Sequence, residues 1–280
     1  VPGSYKFQYR KYFGLTDAIA VRGNMVYCGI GRYLEVLDVT NPASPTVVGR
    51  TTLGSSIDNL VIRDSLIFAV SQGVLYIASI SAPTQPKLIG YVGIGNSWKV
   101  VVDSNFAFIG GGGPQSGVLR VVDISDPAHP YVRGESRDYY NDPIYALASK
   151  YPYVYAGGVY GPVVITDASN PDHLVSYEGA FGGNWGAINV KDTLLFVAFS
   201  SGSNEFRIYS ISNPASPALL SVLQVGDANA HNTWIDAMTT SGTKAYLAAW
   251  SPALYTVDIS DPSHPVFQDS VYSLIGSGSD

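Results

Sequence analysis

Apolar positions along this chain gather in short runs, and the runs come in a fixed order. A nearly continuous apolar run ("DAIAV", "NLVI", "KVVV", "YALA", "GAIN", "DAM") is soon followed by a second ("MVYCG", "LIFAV", "FAFIG", "YVYAG", "LLFVAF", "AYLAAW"). Between them stands a turn of Asn, Asp, Gly or Ser, as in "RGN", "RDS", "DSN", "VKD" and "TSG". A third run, of the kind "VLRVVDIS", leads into a proline-bearing loop, and a more polar stretch such as "YVRGES" or "TVVGRTT" closes the unit. Runs this short and this continuous predict strands buried on both faces. The turns between them are tight connections, and the polar last run suits an exposed edge.

The unit recurs. The first proline of each loop falls at Pro42, Pro83, Pro127, Pro171, Pro214 and Pro262, at separations of 41, 44, 44, 43 and 48 residues. A second proline follows at Pro45, Pro86, Pro130, Pro217 and Pro265, with Leu174 in its place in the fourth copy. Paired prolines fix φ twice and remove two donors, so each loop is a stiff corner that cannot join a sheet ladder. A period of this length marks a repeat fold. Four antiparallel strands per copy, most apolar first and most polar last, predict the blade of a β-propeller. The expected fold is all-β, one six-bladed β-propeller of four-stranded antiparallel blades over residues 1–280. One blade cannot bury both its faces, so each copy covers its neighbours, and the Asp/Asn-Pro corner is read as the turn joining the last two strands.

The stretch "VLRVVDISDPAHPYVRG", with its siblings "LEVLDVTNPASPTVVG" and "LYTVDISDPSHPVF", resembles the LVIVD repeat of bacterial and archaeal surface and secreted proteins. The resemblance extends over residues 15–273. The second copy departs with "IASISAP" and the fourth lacks its second proline; both departures weaken a corner and leave the architecture standing. The resemblance implies a propeller at the cell exterior, often attached to other modules, and implies no agreed chemistry, because fold does not fix function.

Ring closure has more material than it needs. "KFQYRKYFGLTD" is similar to the outer strand and linker "VVGRTTLGSSID", so residues 1–14 are expected to supply a closing strand to the sixth blade. "VFQDSVYS" then pairs beside it or leads out towards a neighbour, and residues 274–280 form a flexible tail or linker. A surplus strand at either terminus is also a route to self-association through a sheet edge.

Composition narrows the function classes. Sixteen basic residues against 22 acidic ones give a net charge of −6, and the basic residues are scattered, so the footprint of a nucleic-acid binder is missing. Cys28, the one cysteine, sits in "MVYCGI" and reads as a buried thiol; there is no disulfide framework. The apolar runs are strand-sized, too short for a helical membrane span. An extracellular or cell-surface location, with a leader already removed, is the expectation that follows from the resemblance.

Propellers bind ligands where loops from successive blades converge on one axis. The loops that lead from each fourth strand into the next first strand read "GLTD", "GSSIDN", "GIGNSWK", "RDYYNDPIY", "FGGNWG" and "GDANAHNTWID". Alignment of the first strands places Asp17, Asp58 and Asp236 at one level. Trp98, Tyr139, Tyr140, Tyr145 and Trp185 belong to the remaining loops, and His231 and Asn232 to the long sixth one. Carboxylates with aromatics suit a glycan, whose hydroxyls need acceptors and whose C–H faces stack on rings. The same Asp residues also serve as turn caps, and His129, His173 and His264 are corner residues by the rule of the repeat.

The expected function is a non-enzymatic binding or assembly module whose partner is a glycan or a protein. Two alternatives stand beside it. One is a carbohydrate-active hydrolase or lyase using His231 with Asp17, Asp58 or Asp236, the same three carboxylates being the candidates for Ca²⁺. The other is a structural subunit of a surface assembly. No nucleophile elbow, zinc-binding helix motif, Cys-x-x-Cys pair or phosphate-cradling loop is present.

Overall fold

Each predicted run becomes a strand. A computed structural model describes residues 16–113, 116–137, 142–158, 161–179, 185–199, 205–225, 235–249 and 253–272. Blade one holds β1 (Thr16–Arg22), β2 (Met25–Ile30), β3 (Tyr33–Asp38) and β4 (Thr46–Thr52), and blade two β5 (Asn59–Arg63), β6 (Leu66–Ser71), β7 (Val74–Ser79) and β8 (Lys87–Gly93). Blade three holds β9 (Ser97–Asp103), β10 (Phe106–Gly113), β11 (Ser116–Asp123) and β12 (Tyr131–Ser136). Blade four holds β13 (Ala146–Lys150), β14 (Tyr153–Gly157), β15 (Val164–Asp167) and β16 (Val175–Glu178). Blade five holds β17 (Trp185–Lys191), β18 (Leu194–Phe199), β19 (Glu205–Ser210) and β20 (Ala218–Gln224), and blade six β21 (Ile235–Ser241), β22 (Lys244–Ala249), β23 (Ala253–Asp258) and β24 (Val266–Tyr272). Each blade is a four-stranded meander in chain order, and the protein is an all-β, six-bladed β-propeller. β24 occupies the fourth place in blade six; the closing strand expected from residues 1–14 lies outside the described residues, as does the tail at 274–280.

Backbone contacts divide the chain into two compact units, Val1–Ile109 with Arg120–Arg133, and Gly110–Leu119 with Gly134–Asp280. In the first, Tyr27, Leu34 and Val36 of blade one pack on Leu60, Ile67 and Ala69 of blade two. Phe68, Leu75 and Ile77 on the other side of blade two pack on Val100, Ala107 and Val122. In the second, Tyr155 and Ile165 meet Leu195, Val197 and Tyr209, while Phe196, Phe206 and Ile208 meet Leu247, Tyr255 and Val257. Successive residues of one strand thus serve two different cores, which is why the second strands carry no polar alternation. Fully burying each such side chain contributes about 1.5–3 kcal/mol.

The proline corner does more than join two strands. Its first polar residue caps the turn: Asp38, Asp123, Asp167 and Asp258 accept the backbone N–H two residues on, at 2.8–2.9 Å. In blades two and five the hydroxyls of Ser79 and Ser210 take that place, so the departure "IASISAP" keeps the turn. The fourth copy keeps it too, with the His173 N–H donating to the Asn170 carbonyl at 3.0 Å. The corner then docks on the preceding blade. A Cβ at Gly49, Gly90 or Gly134 would lie 2.3, 2.1 or 2.2 Å from the carbonyl oxygen of Pro83, Pro127 or Pro171 in the next blade. Blade five has Ser221 at the equivalent position, and its hydroxyl donates to the Pro262 carbonyl at 2.7 Å. The corner therefore recurs because it is the fitting that holds neighbouring blades in register.

A second fitting lies at the same end. Arg22, Arg63, Lys150 and Lys191, each the last residue of its blade's first strand, donate to the turn carbonyls of Asp64, Ser104, Asp192 and Gly242 in the following blade. Those four turn residues all have positive φ, which aims the carbonyl back along the preceding blade.

Candidate functional site

At the opposite end, among the described residues, the loops leading into β5, β9 and β13 are held by buried aliphatic pegs. The N–H groups of Ile57, Ile94 and Ile144 donate to the carbonyls of Gly31, Gly73 and Gly111, at 3.1, 2.7 and 3.1 Å. Ile57 and Ile144 fill the space above Gly29 and Gly110, where a Cβ would meet them at 2.7 and 2.6 Å. The pegs fix the roots of these three loops.

Counting back from the hairpin pairs Arg22↔Met25 and Arg63↔Leu66 puts Asp17 and Asp58 at the same level, as predicted. The same count puts Trp98, Tyr145 and Asp236 at that level in blades three, four and six. In blades one, five and six the level is a register shift, between Thr16 and Ala18, Trp185 and Ala187, and Ile235 and Ala237. Bulges of this kind turn a side chain away from the regular alternation and recur beside functional sites.

In the first unit, the Asp58 carboxylate accepts the Gln72 N–H at 3.1 Å, while its own N–H donates to the Val70 carbonyl at 2.9 Å. Asp58 therefore braces the turn after β6 with one oxygen, and it remains only partly buried. Trp98 is half-buried beside Ser97, whose hydroxyl donates to the Ile94 carbonyl at 3.2 Å. The guanidinium of Arg120 donates to that hydroxyl at 3.2 Å and lies against Gly95. Sequence reasoning passed over Arg120, because it sits in the third strand of its blade and only the fold brings it to a mouth loop. Asp17 holds its backbone place at the start of β1.

In the second unit, Tyr145 and Asp236 are exposed. The buried carboxylate of Asp142 was also missed; it accepts the Gly161 N–H at 3.0 Å and packs on Gly158, ordering the loop before β13. The Asp-Pro step in "YYNDPIY" is the signal that could have marked it. Tyr139, Tyr140, His231 and Asn232 lie outside the described residues, and of Trp185 only the backbone is described. Among the described residues no three His, Cys, Asp or Glu side chains come together as a metal-binding group.

His129 and His264 stand in the corners, at the end away from these loops, each ring Nδ1 bonding the carboxylate of Asp126 or Asp261 at 2.8 and 2.9 Å. Those histidine bonds, helped by backbone N–H groups, hold both carboxyls below the ordinary aspartate value. Cys28 is buried; burial, with the Glu35 charge behind it, pushes its thiol up to about 11, so it is protonated and unreactive at neutral pH. Among the described residues no helix is long and apolar enough to cross a membrane.

The LVIVD repeat profile matches residues 13–52, 94–137, 182–224 and 238–272, together more than half of the chain. The chain belongs to the LVIVD-repeat family. The four matches fall on blades one, three, five and six of this LVIVD-repeat protein; the second and fourth copies, outside them, are those whose corners depart from the motif. No curated protein matches the chain in sequence. Solved structures share the fold at low identity. One chain of a mitotic checkpoint complex is 12% identical, with a TM-score of 0.67 over 89% of this chain and 77% of that one. Kluyveromyces lactis Hsv2 is 11% identical, with a TM-score of 0.64 over 95% and 84%. Raptor from Chaetomium thermophilum is 14% identical, with a TM-score of 0.68 over 88% of this chain and 24% of that one.

Proposed function

We propose that this LVIVD-repeat propeller is a non-enzymatic binding module whose ligand is a glycan, taken up at the end of the inner strands where the peg-anchored loops lie. The observation that carries the reading is the register of the first unit. There, Asp17, Asp58 and Trp98 stand at one level where three successive first strands begin, and Arg120 reaches Ser97 beside Trp98. Carboxylates and a guanidinium supply the acceptors and donors that sugar hydroxyls need, and an indole face supplies the stacking surface. Action at the cell exterior is part of the same proposal and rests on what the repeat resemblance implies.

The test is a glycan panel screened against the wild-type chain, with the best binder measured by calorimetry on Trp98→Ala and Asp58→Asn. Trp98→Ala should weaken binding by at least about tenfold, the scale of one stacked ring, and Asp58→Asn by less, with both variants folded by circular dichroism. Binding that both variants retain unchanged would reject the site, and a panel without any binder would reject the ligand class.

A specific observation favours a protein partner as the second reading. The outer strand β20 presents Leu219, Leu220 and Val222 to solvent, 53, 38 and 47% exposed, on a sheet edge. An apolar edge strand is a template for pairing with another chain, and size measurement on Leu219→Lys/Val222→Lys would show whether self-association depends on it.

A further inference from the structure

Blade one differs from blade four at a buried tyrosine. Tyr27 of β2 and Tyr155 of β14 occupy equivalent positions, each the third residue of its blade's second strand. The Tyr155 hydroxyl reaches across to the next blade's corner and donates to the Pro214 carbonyl at 3.1 Å. Tyr27, only 1% exposed, makes no such bond to the corresponding Pro83 corner, and among the described residues its hydroxyl has no hydrogen-bond partner. Its hydroxyl is left to donate to whatever occupies the space beside it.

The space beside it is open. A cavity of about 330 Å³ lies between blades one and two, lined by Arg22, Tyr27, Ser65 and Ser81 on its polar side and by Met25, Ile80 and Pro83 on its apolar side. The blade-four counterpart of Met25 is Tyr153, a larger side chain packed against the neighbouring core. The cavity's polar groups are donors or hydroxyls throughout. Arg22 spends one terminal nitrogen on the Asp64 carbonyl and keeps the rest of its fork. Burial raises the Tyr27 phenol above its ordinary value, so it stays protonated and able to donate. Donors with a single positive charge select an acceptor-rich monoanion, and a planar guanidinium fits a carboxylate in particular. The apolar wall selects a hydrocarbon body, and the volume admits roughly ten waters or about as many non-hydrogen atoms.

We propose that this cavity binds a small monocarboxylate, its head on Arg22 and the Tyr27 hydroxyl and its short hydrocarbon body on Met25, Ile80 and Pro83. The site is separate from the glycan site: it lies at the corner end of the blades and uses none of Asp17, Asp58, Trp98 or Arg120.

The experiment titrates the wild-type chain with benzoate and hexanoate, and with benzamide and hexanamide as uncharged matches, by calorimetry and thermal shift. The carboxylates should bind at about 1 mM or tighter and the amides at least tenfold more weakly, on the order expected for loss of a charge-assisted bond. Tyr27→Phe keeps the ring packing and should weaken carboxylate binding about tenfold. Met25→Tyr copies the blade-four residue, fills the cavity and should abolish binding in a chain that still melts cooperatively. Tyr155→Phe should leave binding as in wild type. The proposal falls if no carboxylate binds, which leaves the cavity to water, if the amides bind as well as the acids, or if Tyr27→Phe and Met25→Tyr bind like wild type.

Discussion

The docking of each proline corner onto a glycine of the preceding blade can be tested within a single strand. β8 carries two glycines, Gly90 and Gly93. A Cβ at Gly90 would sit 2.1 Å from the Pro127 carbonyl oxygen and 3.1 Å from Pro130 Cδ, whereas at Gly93 it would meet nothing within 4 Å. Ordinary contact begins at 3.4 Å, so the corner must retreat by about 1.3 Å to admit the methyl at Gly90. The atom in the way is backbone, stiffened by two prolines, and it cannot rotate aside. Gly90→Ala should therefore cost about 3 kcal/mol, the upper range for a methyl forced into a packed core. Gly93→Ala should stabilise by about 0.5 kcal/mol through lost unfolded-state freedom. Urea denaturation and a thermal melt read both, with a midpoint drop of roughly 6–10 °C expected for Gly90→Ala. If the two variants differ by less than about 0.5 kcal/mol, the corner is not a packed fitting and the account of the repeat given above is wrong.

Four further outcomes follow from the same geometry. Ser221→Ala removes the hydroxyl that satisfies the Pro262 carbonyl and should cost about 1 kcal/mol in denaturant, while the same change at exposed Ser263 should cost almost nothing. Val122→Ala, fully buried between blades two and three, should cost about 1–3 kcal/mol and leave ligand binding intact. Cys28 has a folded-state value raised from 9.0 to about 11, so its contribution is complete below about pH 9 and lost as pH rises towards 11. The native thiol should resist a disulfide reagent at pH 8, and the wild-type urea midpoint should fall more steeply above pH 9 than that of Cys28→Ala. For Asp123, burial opposes the charged form, but bonds from Ser125, Tyr131 and Arg133 outweigh it and hold the carboxyl below 3.8; that stability is present above about pH 4 and lost on further acidification, so Asp123→Asn should flatten the acid limb of the melt.

Most of the architecture was legible because a propeller writes the same instruction six times. Proline spacing gave the blade count, and runs without polar alternation gave strands buried on both faces; neither depended on any long-range contact. The corners were legible as turns and not as fittings. Nothing in "APTQP" says that its carbonyl will press on a glycine 34 residues earlier in the chain, as Pro83 does on Gly49. Likewise Arg22, Arg63, Lys150 and Lys191 were counted among scattered charges, yet each ends a first strand and bonds the following turn. Blade-to-blade contacts join residues about one period apart, and a repeat displays what its copies share more readily than what one copy does to the next.

The site was legible only where it follows the repeat. Asp17, Asp58 and Asp236 could be brought to one level because the first strands align from their turns, whereas Trp98 and Tyr145 were read as loop residues and join that level only by the strand register. Arg120 could not, since its place beside Trp98 depends on a third strand most of whose other copies put different residues there, such as Glu35 in blade one and Tyr76 in blade two. Tyr27 makes the same point more sharply. In sequence it is one more aromatic in an apolar run, at a position that holds Phe68, Phe108 and Phe196 in blades two, three and five and Tyr155 in blade four. The difference lies in its neighbour across the blade: Met25 leaves open what Tyr153 fills, and the hydroxyl that would have tied two blades together faces a cavity instead. Function in a repeat protein is to be sought where one copy differs from its sisters, so the residues to mutate first are those that meet open space where an equivalent meets the neighbouring blade.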